Sequence, residues 1–197
     1  MSDPARRPVV AVYGGSFNPP HVVHAMIASW LVWTGKASAV WLVPVFQHPF
    51  EGKQSKKLAS YARRTAWCEW LAQALGPWAQ TCSIEAELPP PSYSWTTLQA
   101  LAARYPNYEF RLVVGSDVLS QVASWHRWAD ICREHAPIVV GREGQAAPES
   151  STFAFPDVSS TTIRRKLRKK EDVDALLLAS VLADIRANFP EEWTETG

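Results

Sequence analysis

"VVAVYGGSFNPPHVVH", residues 9–24, decides the fold of this chain, because a strand pattern runs through one short loop into a helix pattern. Residues 9–13 are consecutive apolar residues, mostly valine, as in strands covered on both faces. Helical spacing begins near residue 21, after two prolines that fit a turn and a first helical position. A loop between a strand and a helix start favours a phosphate, because N–H donors and the helix dipole meet there. We therefore predict that Gly14, Gly15 and Ser16 approach an anion closely.

Two histidines follow this loop at a spacing that lets both side chains contact the same ligand. His21 and His24 are three residues apart, so they lie on the same face of the first helical turn. Both imidazoles can donate hydrogen bonds to a phosphate that gains charge in a transition state. Two alternatives stay open at this point: a helix start with ordinary surface histidines, or a zinc pair, for which no third ligand is evident nearby. The loop contains neither the GK[ST] of a Walker loop nor a GxGxxG pattern.

The rest of the chain alternates strand and helix patterns. Strand patterns occupy 9–13, 39–45, 82–88, 110–115 and 137–141, and helix patterns occupy 21–34, 60–75, 95–104, 117–134, 160–170 and 174–188. This alternation is typical of a parallel sheet with crossover helices, in which ligands bind beyond the carboxyl ends of the strands. We predict an α/β fold with a doubly wound, mainly parallel sheet.

The length and composition fit one globular domain. The chain has 197 residues, 47% of them hydrophobic and 20% charged, which is enough to bury a sizeable core. We predict a single domain over 1–197, with a core over about 9–188 and a C-terminal helical part over about 160–188. The stretch 142–152 is the expected flexible loop, and 190–197 is the expected frayed tail.

The charge and the cysteines limit the partners and the compartment. The net charge of +1 gives no reason to expect a nucleic acid or a membrane as partner. Cys68, Cys82 and Cys132 are widely spaced and odd in number, which suits free thiols in a reducing compartment. No apolar run reaches the length of a membrane span, and the run before Gly14 is too short for a signal peptide. We expect a cytoplasmic protein.

The stretch from Gly14 to His24 closely resembles the GG[ST]F[DN]PxHxxH motif of the nucleotidyltransferase α/β-phosphodiesterase superfamily. Within that superfamily the chain looks like the bacterial nicotinate-mononucleotide adenylyltransferases, which make the dinucleotide skeleton of NAD. The resemblance implies a Rossmann-like nucleotidyltransferase fold. It also implies transfer of AMP from ATP to nicotinate mononucleotide, giving deamido-NAD and pyrophosphate.

A second stretch, "PSYSWTTL" at 91–98, is similar to the SYTxDTL segment of the same family. Ser94 replaces the usual threonine and Thr96 the usual aspartate, although Thr96 can still cap the following helix. The family uses this segment to recognise the pyridine ring and its substituent, so the resemblance assigns that role to Tyr93 and Ser94. Without the resemblance, the stretch is a proline-rich loop followed by an ordinary cap.

A third stretch, "FRLVVGSDVLSQVASWHRW" at 110–128, is similar to the family's F-x-x-G-x-D…W-x-R-W block. Asp117 follows a strand, where it can accept from a ribose hydroxyl, join the hydration shell of a magnesium ion, or cap a helix. By the family's pattern Trp125 stacks on the pyridine ring, while Trp128 is interpreted as structural. From spacing alone, both tryptophans are more typical of a core.

The fourth stretch, "VSSTTIRRKL" at 158–167, matches the family's ISSTxIR segment. Hydroxyls and N–H groups at a helix start suit the phosphates of ATP, and Arg164 can hold a β- or γ-phosphate with two hydrogen bonds. Six of the seven residues from Arg164 to Lys170 are basic, and without interleaved aromatic residues we interpret them as a solvated helix face.

One segment departs from the family. Where the family often has a PPHK-like stretch, this chain has "VPVFQHPFEGKQSKK" at 43–57. His48 and one of three lysines are candidates for the phosphate contact, and the alignment does not distinguish Lys53, Lys56 and Lys57.

The resemblance assigns a role to each site residue. The catalytic residues are His21, His24 and Arg164, and the ATP-binding residues are Gly14, Gly15, Ser16, Phe17, Gly115, Asp117, Ser159, Ser160, Thr161 and Arg164. The residues for the other substrate are Asn18, Tyr93, Ser94 and Trp125.

The resemblance also implies the cofactor and the partners. Mg²⁺ arrives with ATP and keeps several waters, with no dedicated protein metal site. The partners are ATP and a pyridine mononucleotide, for a monomer or homodimer. The alternatives are a sister enzyme that prefers nicotinamide mononucleotide or another phosphorylated acceptor, and a non-catalytic nucleotide sensor on the same fold.

Overall fold

The computed structural model describes residues 7–48, 58–143 and 154–194. The strands are β1 (Val9–Gly15), β2 (Ala39–Pro44), β3 (Ala79–Thr81), β4 (Glu109–Gly115), β5 (Ile138–Arg142) and β6 (Ala154–Phe155). The helices are α1 (Val22–Trp33), α2 (Tyr61–Leu75), α3 (Ser94–Arg104), α4 (Trp128–His135), α5 (Ser160–Arg168) and α6 (Ala179–Ala187). The strands form one sheet in the order β3-β2-β1-β4-β5-β6, and every neighbouring pair is parallel. The predicted doubly wound, parallel α/β fold is confirmed.

Helices cover both faces of this sheet, which explains the consecutive apolar residues of its strands. In β1, Ala11 and Tyr13 belong to a core shared with α1 and α2, while Val10 and Val12 belong to a core shared with α3 and α4. All four residues are buried. Because alternate residues of a strand face opposite sides, four apolar residues in a row are needed only where both sides are covered.

The two central strands separate at their carboxyl ends. The ladder between β1 and β4 stops at the pair Val12 and Leu112, although the strands continue to Gly15 and Gly115. The strand order also reverses here, since β2 lies on one side of β1 and β4 on the other. Such a switch point opens a crevice at the carboxyl edge, where ligands of open α/β sheets bind.

The C-terminal helices pack against α2. Ile163 of α5 and Val181 and Ile185 of α6 are buried in one cluster with Trp67 of α2 and with Trp193. The rings of Trp67 and Trp193 lie 5.9 Å apart. No helix among the described residues is both long and apolar enough to cross a membrane.

Two predicted elements near the sheet differ from the structure. The predicted strand over 82–88 is wrong, because β3 ends at Thr81 and residues 84–87 form a 3₁₀ helix that turns Glu85 inward. The helix predicted over 117–134 is broken: 3₁₀ turns at 116–118 and 122–124 precede α4, and Arg127 has a left-handed φ of 57°.

The end of the chain also differs. The last helix begins at Ala179 instead of 174, because the preceding stretch bends so that the Leu176 carbonyl accepts the N–H of Val22 at 2.9 Å. The frayed tail predicted from 190 is wrong for the described residues, since Trp193 is 2% exposed. The two-residue strand β6 was not predicted, and most of the loop predicted at 142–152 lies outside the described residues.

Candidate active site

The loop after β1 starts at the carboxyl edge of the sheet. Gly14 is exposed at the end of a buried strand, and a Cβ there would meet no heavy atom within 4 Å among the described residues. Its φ is not left-handed, so open space, not backbone conformation, is what glycine provides at this position. A Cβ on Gly15 would instead touch the Phe17 ring at 3.4 Å. The main chain at Gly14 is therefore accessible to a ligand.

Phe17 and Asn18 are buried and support the loop from inside. The Phe17 ring lies 4.9 Å from the His24 ring, and the φ of Phe17 is 45°, a left-handed value that costs about 1–2 kcal/mol without glycine. Asn18 Oδ1 accepts the N–H of Ala59 at 2.9 Å. Both side chains are buried, so an ATP contact of Phe17 would have to involve its main chain. ATP binding by Phe17 and substrate binding by Asn18 both stay predictions.

The two histidines lie together at the start of α1. Their ring centroids are 3.8 Å apart, with His21 buried and His24 half-buried. Nδ1 of His24 accepts the backbone N–H of His21 at 3.0 Å. This bond places the proton of a neutral His24 ring on Nε2, the atom that can then donate to a ligand. The predicted shared face of His21 and His24 is confirmed.

The N–H groups at the start of α1 are used differently from the prediction. Three of the first four are engaged within the protein: His21 N–H binds His24 Nδ1, Val22 N–H binds the Leu176 carbonyl, and His24 N–H binds the His21 carbonyl. These three donors therefore already have acceptors within the protein. The histidine side chains and the loop before the helix remain the candidate anion contacts of this segment.

The fourth sequence stretch docks on this loop. Ser160 Oγ donates to the Pro19 carbonyl at 2.9 Å, and Arg164 Nη1 donates to the Asn18 carbonyl at 2.9 Å. Nη2 of Arg164 donates to Thr161 Oγ1 at 3.2 Å. Two segments 141 residues apart in sequence therefore form one surface at the carboxyl end of β1.

The start of α5 offers donors for an anion. Ser159 caps the helix, because its Oγ accepts the N–H of Thr162 at 3.2 Å. The N–H groups of Ser160 and Thr161 have no acceptor inside the helix, because they belong to its first turn. Desolvation on burial, together with repulsion from Arg168, lowers the pKa of the Arg164 guanidinium. An anion would relieve both effects.

The second and third stretches meet through a pair that the sequence did not indicate. The Tyr93 ring lies 4.6 Å from the ring of His126, at 35° to it. Trp125, next to His126, is half-buried and packs edge-on against Trp128 at 5.9 Å. The prediction that Thr96 caps α3 is wrong, because the helix begins at Ser94 with Tyr93 as its cap residue.

The loop after β4 adds a carboxylate at the same edge. Gly115 ends β4, and Asp117 lies exposed in the 3₁₀ turn that follows. Within the described residues no three His, Cys, Asp or Glu side chains lie close enough together to hold a metal ion. The candidate lysines Lys53, Lys56 and Lys57 lie outside the described residues.

An apolar cavity of about 210 Å³ lies beside His21. It is lined by the start of α1, by Leu71 of α2, and by residues 175–178 and Val181. His21 is the one polar side chain among these lining residues. A cavity of this kind offers no set of hydrogen-bond donors for a triphosphate.

Two buried charged side chains beneath the loops were missed by the sequence analysis. Desolvation on burial lowers the pKa of the Arg64 guanidinium and raises that of the Glu85 carboxyl. The sequence did indicate that Arg64 is buried, since it precedes Trp67 by three residues and Leu71 by seven and so lies on the buried face of α2. A charged residue on an apolar face requires polar partners inside the protein.

Comparison with known proteins gives consistent results. The family model described as cytidylyltransferase-like matches residues 12–166. A relative from Anaeromyxobacter dehalogenans (strain 2CP-C), named "Probable nicotinate-nucleotide adenylyltransferase", is 42% identical over 181 residues, covering 90% of this chain and 94% of the relative. A relative of the same name from Myxococcus xanthus (strain DK1622) is 36% identical over 180 residues, covering 90% and 91%.

A solved structure shares the fold. The Plasmodium falciparum nicotinic acid mononucleotide adenylyltransferase, complexed with NaAD, superposes with a TM-score of 0.74 at 18% identity. The match covers 92% of this chain and 97% of the Plasmodium chain.

Proposed function

This chain belongs to the cytidylyltransferase-like family and, within it, to the nicotinate-nucleotide adenylyltransferases, and from that premise we propose how its residues carry out the reaction. AMP passes from ATP to nicotinate mononucleotide, giving deamido-NAD and pyrophosphate. One observation carries the assignment of the site: Ser160 and Arg164 of α5 bind the carbonyls of Pro19 and Asn18 in the loop after β1.

The chemistry requires positioning more than proton transfer. A phosphate oxygen of nicotinate mononucleotide attacks the α-phosphorus of ATP, and the bond from that phosphorus to the bridging oxygen of the β-phosphate breaks as pyrophosphate leaves. The nucleophile is already an anion, so the step needs no general base. Catalysis then consists of in-line alignment and stabilisation of the charge that develops on the phosphate oxygens.

Both histidines act as hydrogen-bond donors in this proposal. Nε2–H of His24 donates to the α-phosphate, because its Nδ1 is held by the N–H of His21. The His21 ring, 3.8 Å from His24, lies within reach of the same group. Ser160, Thr161 and Arg164 bind the β- and γ-phosphates that become pyrophosphate, while Gly14–Ser16 lie against the triphosphate.

We assign the pyridine ring of the mononucleotide to the segment at the start of α3 and to the loop after β4. Tyr93, Ser94 and Trp125 surround the ring, and His126 forms part of this wall through its contact with Tyr93. We assign Gly115 and Asp117, which lie at the end of β4 and in the turn after it, to the ribose and the phosphates.

Magnesium is the metal that we propose for this reaction. Asp117 is an exposed carboxylate that would join the hydration shell of the ion, and the described residues hold no cluster of three ligands. This donor set fits an ion that is held mainly by the triphosphate and keeps several waters. When bound, the ion neutralises charge on the phosphates.

The remaining proposals concern the whole chain. We infer one nucleotidyltransferase domain, because the cluster of Trp67, Ile163 and Trp193 joins the C-terminal helices to α2. A cytoplasmic location is supported by the free thiols of Cys68, Cys82 and Cys132. We propose a monomer or homodimer.

The test is a pyrophosphate-release assay with ATP and magnesium. Nicotinate mononucleotide and nicotinamide mononucleotide are offered in parallel, with a reaction lacking either acceptor as control. The expected result is a higher kcat/KM with the acid. Equal or better use of the amide would overturn the acceptor assignment, while ATP binding without pyrophosphate release would identify a sensor instead of an enzyme.

A further inference from the structure

Arg64 connects three separate stretches of main chain near the candidate site. The side chain is 2% exposed, and its guanidinium donates to three carbonyls. Nη1 binds Ser16 O at 2.9 Å, Nη2 binds Val45 O at 2.8 Å, and Nε binds Ala59 O at 3.0 Å. These carbonyls belong to the loop after β1, the loop after β2 and the residues before α2. One side chain therefore sets the relative position of two loops at the carboxyl edge.

Glu85 holds the same loop from the opposite side. Its Oε2 accepts the N–H of Phe46 at 3.0 Å, and its Oε1 accepts the hydroxyl of Thr97 at 3.0 Å. The carbonyl of Val45 and the N–H of Phe46 belong to a single planar peptide group, in which they point in opposite directions. Arg64 and Glu85 thus bind the two ends of one peptide group, and its orientation is fixed from both sides.

This peptide group lies between the two predicted subsites. On one side, Arg64 also binds Ser16 O, which fixes the peptide plane before the left-handed Phe17. On the other side, the next residue, Gln47, exchanges hydrogen bonds with Ser92: Ser92 N–H donates to Gln47 O at 2.8 Å, and Gln47 N–H donates to Ser92 Oγ at 3.2 Å. Ser92 directly precedes Tyr93.

We propose that Arg64 and Glu85 are positioning residues, which hold the phosphate-binding loop at Ser16 and the pyridine-binding segment at Ser92–Tyr93 in fixed register through the Val45–Phe46 peptide. The inference rests on the proposed function, because it assigns ATP and the mononucleotide to those two segments. Both substrates must be aligned before in-line attack, and misplacement by about 1 Å can cost 10²-fold in rate. Stability alone is a poor reason for the arrangement, since apolar residues of similar volume are often at least as stable as buried charges.

The neighbouring residue provides a matched control. Arg63 lies on the same helix, but its Nε binds Asp184 of α6 at 2.8 Å and its guanidinium lies over the ring of Trp67. Removing Arg63 should lower stability by loosening α6 from α2, without touching either subsite. Arg64→Ala should instead lower kcat/KM for both substrates, by about 10²-fold, at a temperature at which circular dichroism shows a folded protein.

The experiment compares wild type, Arg64→Ala, Arg64→Lys and Arg63→Ala in the pyrophosphate-release assay. Low-millimolar guanidinium should restore part of the activity of Arg64→Ala by occupying the vacated position, and should not raise the rate of wild type or Arg63→Ala. A folded Arg64→Ala with the kcat/KM of Arg63→Ala would overturn the proposal. If Arg64→Ala does not fold, the test uses Arg64→Lys and Glu85→Ala at a temperature at which both are folded. A wild-type kcat/KM in both of these variants would also overturn the proposal. An inactive wild type would refute the proposed function instead.

Discussion

Replacing His24 by asparagine separates its two roles. Oδ1 of an asparagine is as many bonds from the main chain as Nδ1 of histidine, so it can still accept the N–H of His21. The asparagine has no atom in the place of Nε2, which is the donor that we assign to the α-phosphate. His24→Asn should therefore keep the start of α1 and lose the contact to the reacting group.

The magnitude follows from these contacts. Losing one donor to developing charge lowers kcat by about 10²- to 10³-fold. His24→Ala should lower kcat equally and also leave the buried N–H of His21 without its acceptor, which costs about 1–3 kcal/mol in the free energy of unfolding. For a chain of this size that corresponds to about 2–4 °C in Tm for each kcal/mol.

The measurement is kcat for pyrophosphate release, with Tm recorded for each variant. His135→Asn is the control, because His135 is also buried and its Nδ1 donates at 3.0 Å to the carbonyl of Phe110, near the opposite end of β4. That variant should keep kcat within about threefold of wild type. A kcat for His24→Asn within the same range would refute the donor role of His24.

Three further predictions follow from packing and burial. Gly14→Ala should change the free energy of unfolding by less than about 0.5 kcal/mol, because no heavy atom of the described residues lies within 4 Å of the added Cβ. The same methyl group would occupy space that we assign to ATP, so KM for ATP should rise by about tenfold, and an unchanged KM would mean that ATP does not approach Gly14. Burial raises the pKa of the Glu85 carboxyl, so the folded state binds this proton more tightly than the unfolded state does. The wild type should therefore lose stability relative to Glu85→Gln as pH rises through the raised pKa. Urea unfolding at about pH 4 and about pH 7 measures this difference, and an opposite trend would contradict the sign. Trp193→Ala should lower the free energy of unfolding by about 3–5 kcal/mol, measured by urea unfolding. Trp33→Ala, which removes a ring that is 91% exposed, should lower it by less than about 0.5 kcal/mol. Equally small losses in both variants would mean that the chain end around Trp193 is frayed after all.

Much of the fold could be predicted because its signals are local. The run at residues 9–13 is apolar on both faces, and this pattern specifies a strand covered by helices on each side. The errors lie where tertiary contacts outweigh local pattern. Residues 82–88 have a strand pattern, yet residues 84–87 form a 3₁₀ helix in which the Glu85 side chain is buried and hydrogen-bonded to Phe46 and Thr97. The helical pattern over 117–134 is interrupted at Arg127, which has a left-handed φ.

The sequence by itself determined the parallel sheet and the shared face of the two histidines, because each depends on residue types at short spacing, and its motifs resembled the family that the comparisons then showed. Only the tertiary structure decided which N–H groups of α1 are engaged, which ring of the third stretch contacts Tyr93, and which of two adjacent arginines lies beneath the site. These outcomes depend on partners distant in the chain: Leu176 for Val22, His126 for Tyr93, and Ser16 and Val45 for Arg64. Arg63 and Arg64 are the same residue type at adjacent positions, and only the packing of α2 against the loops turns one toward Asp184 and the other into the core.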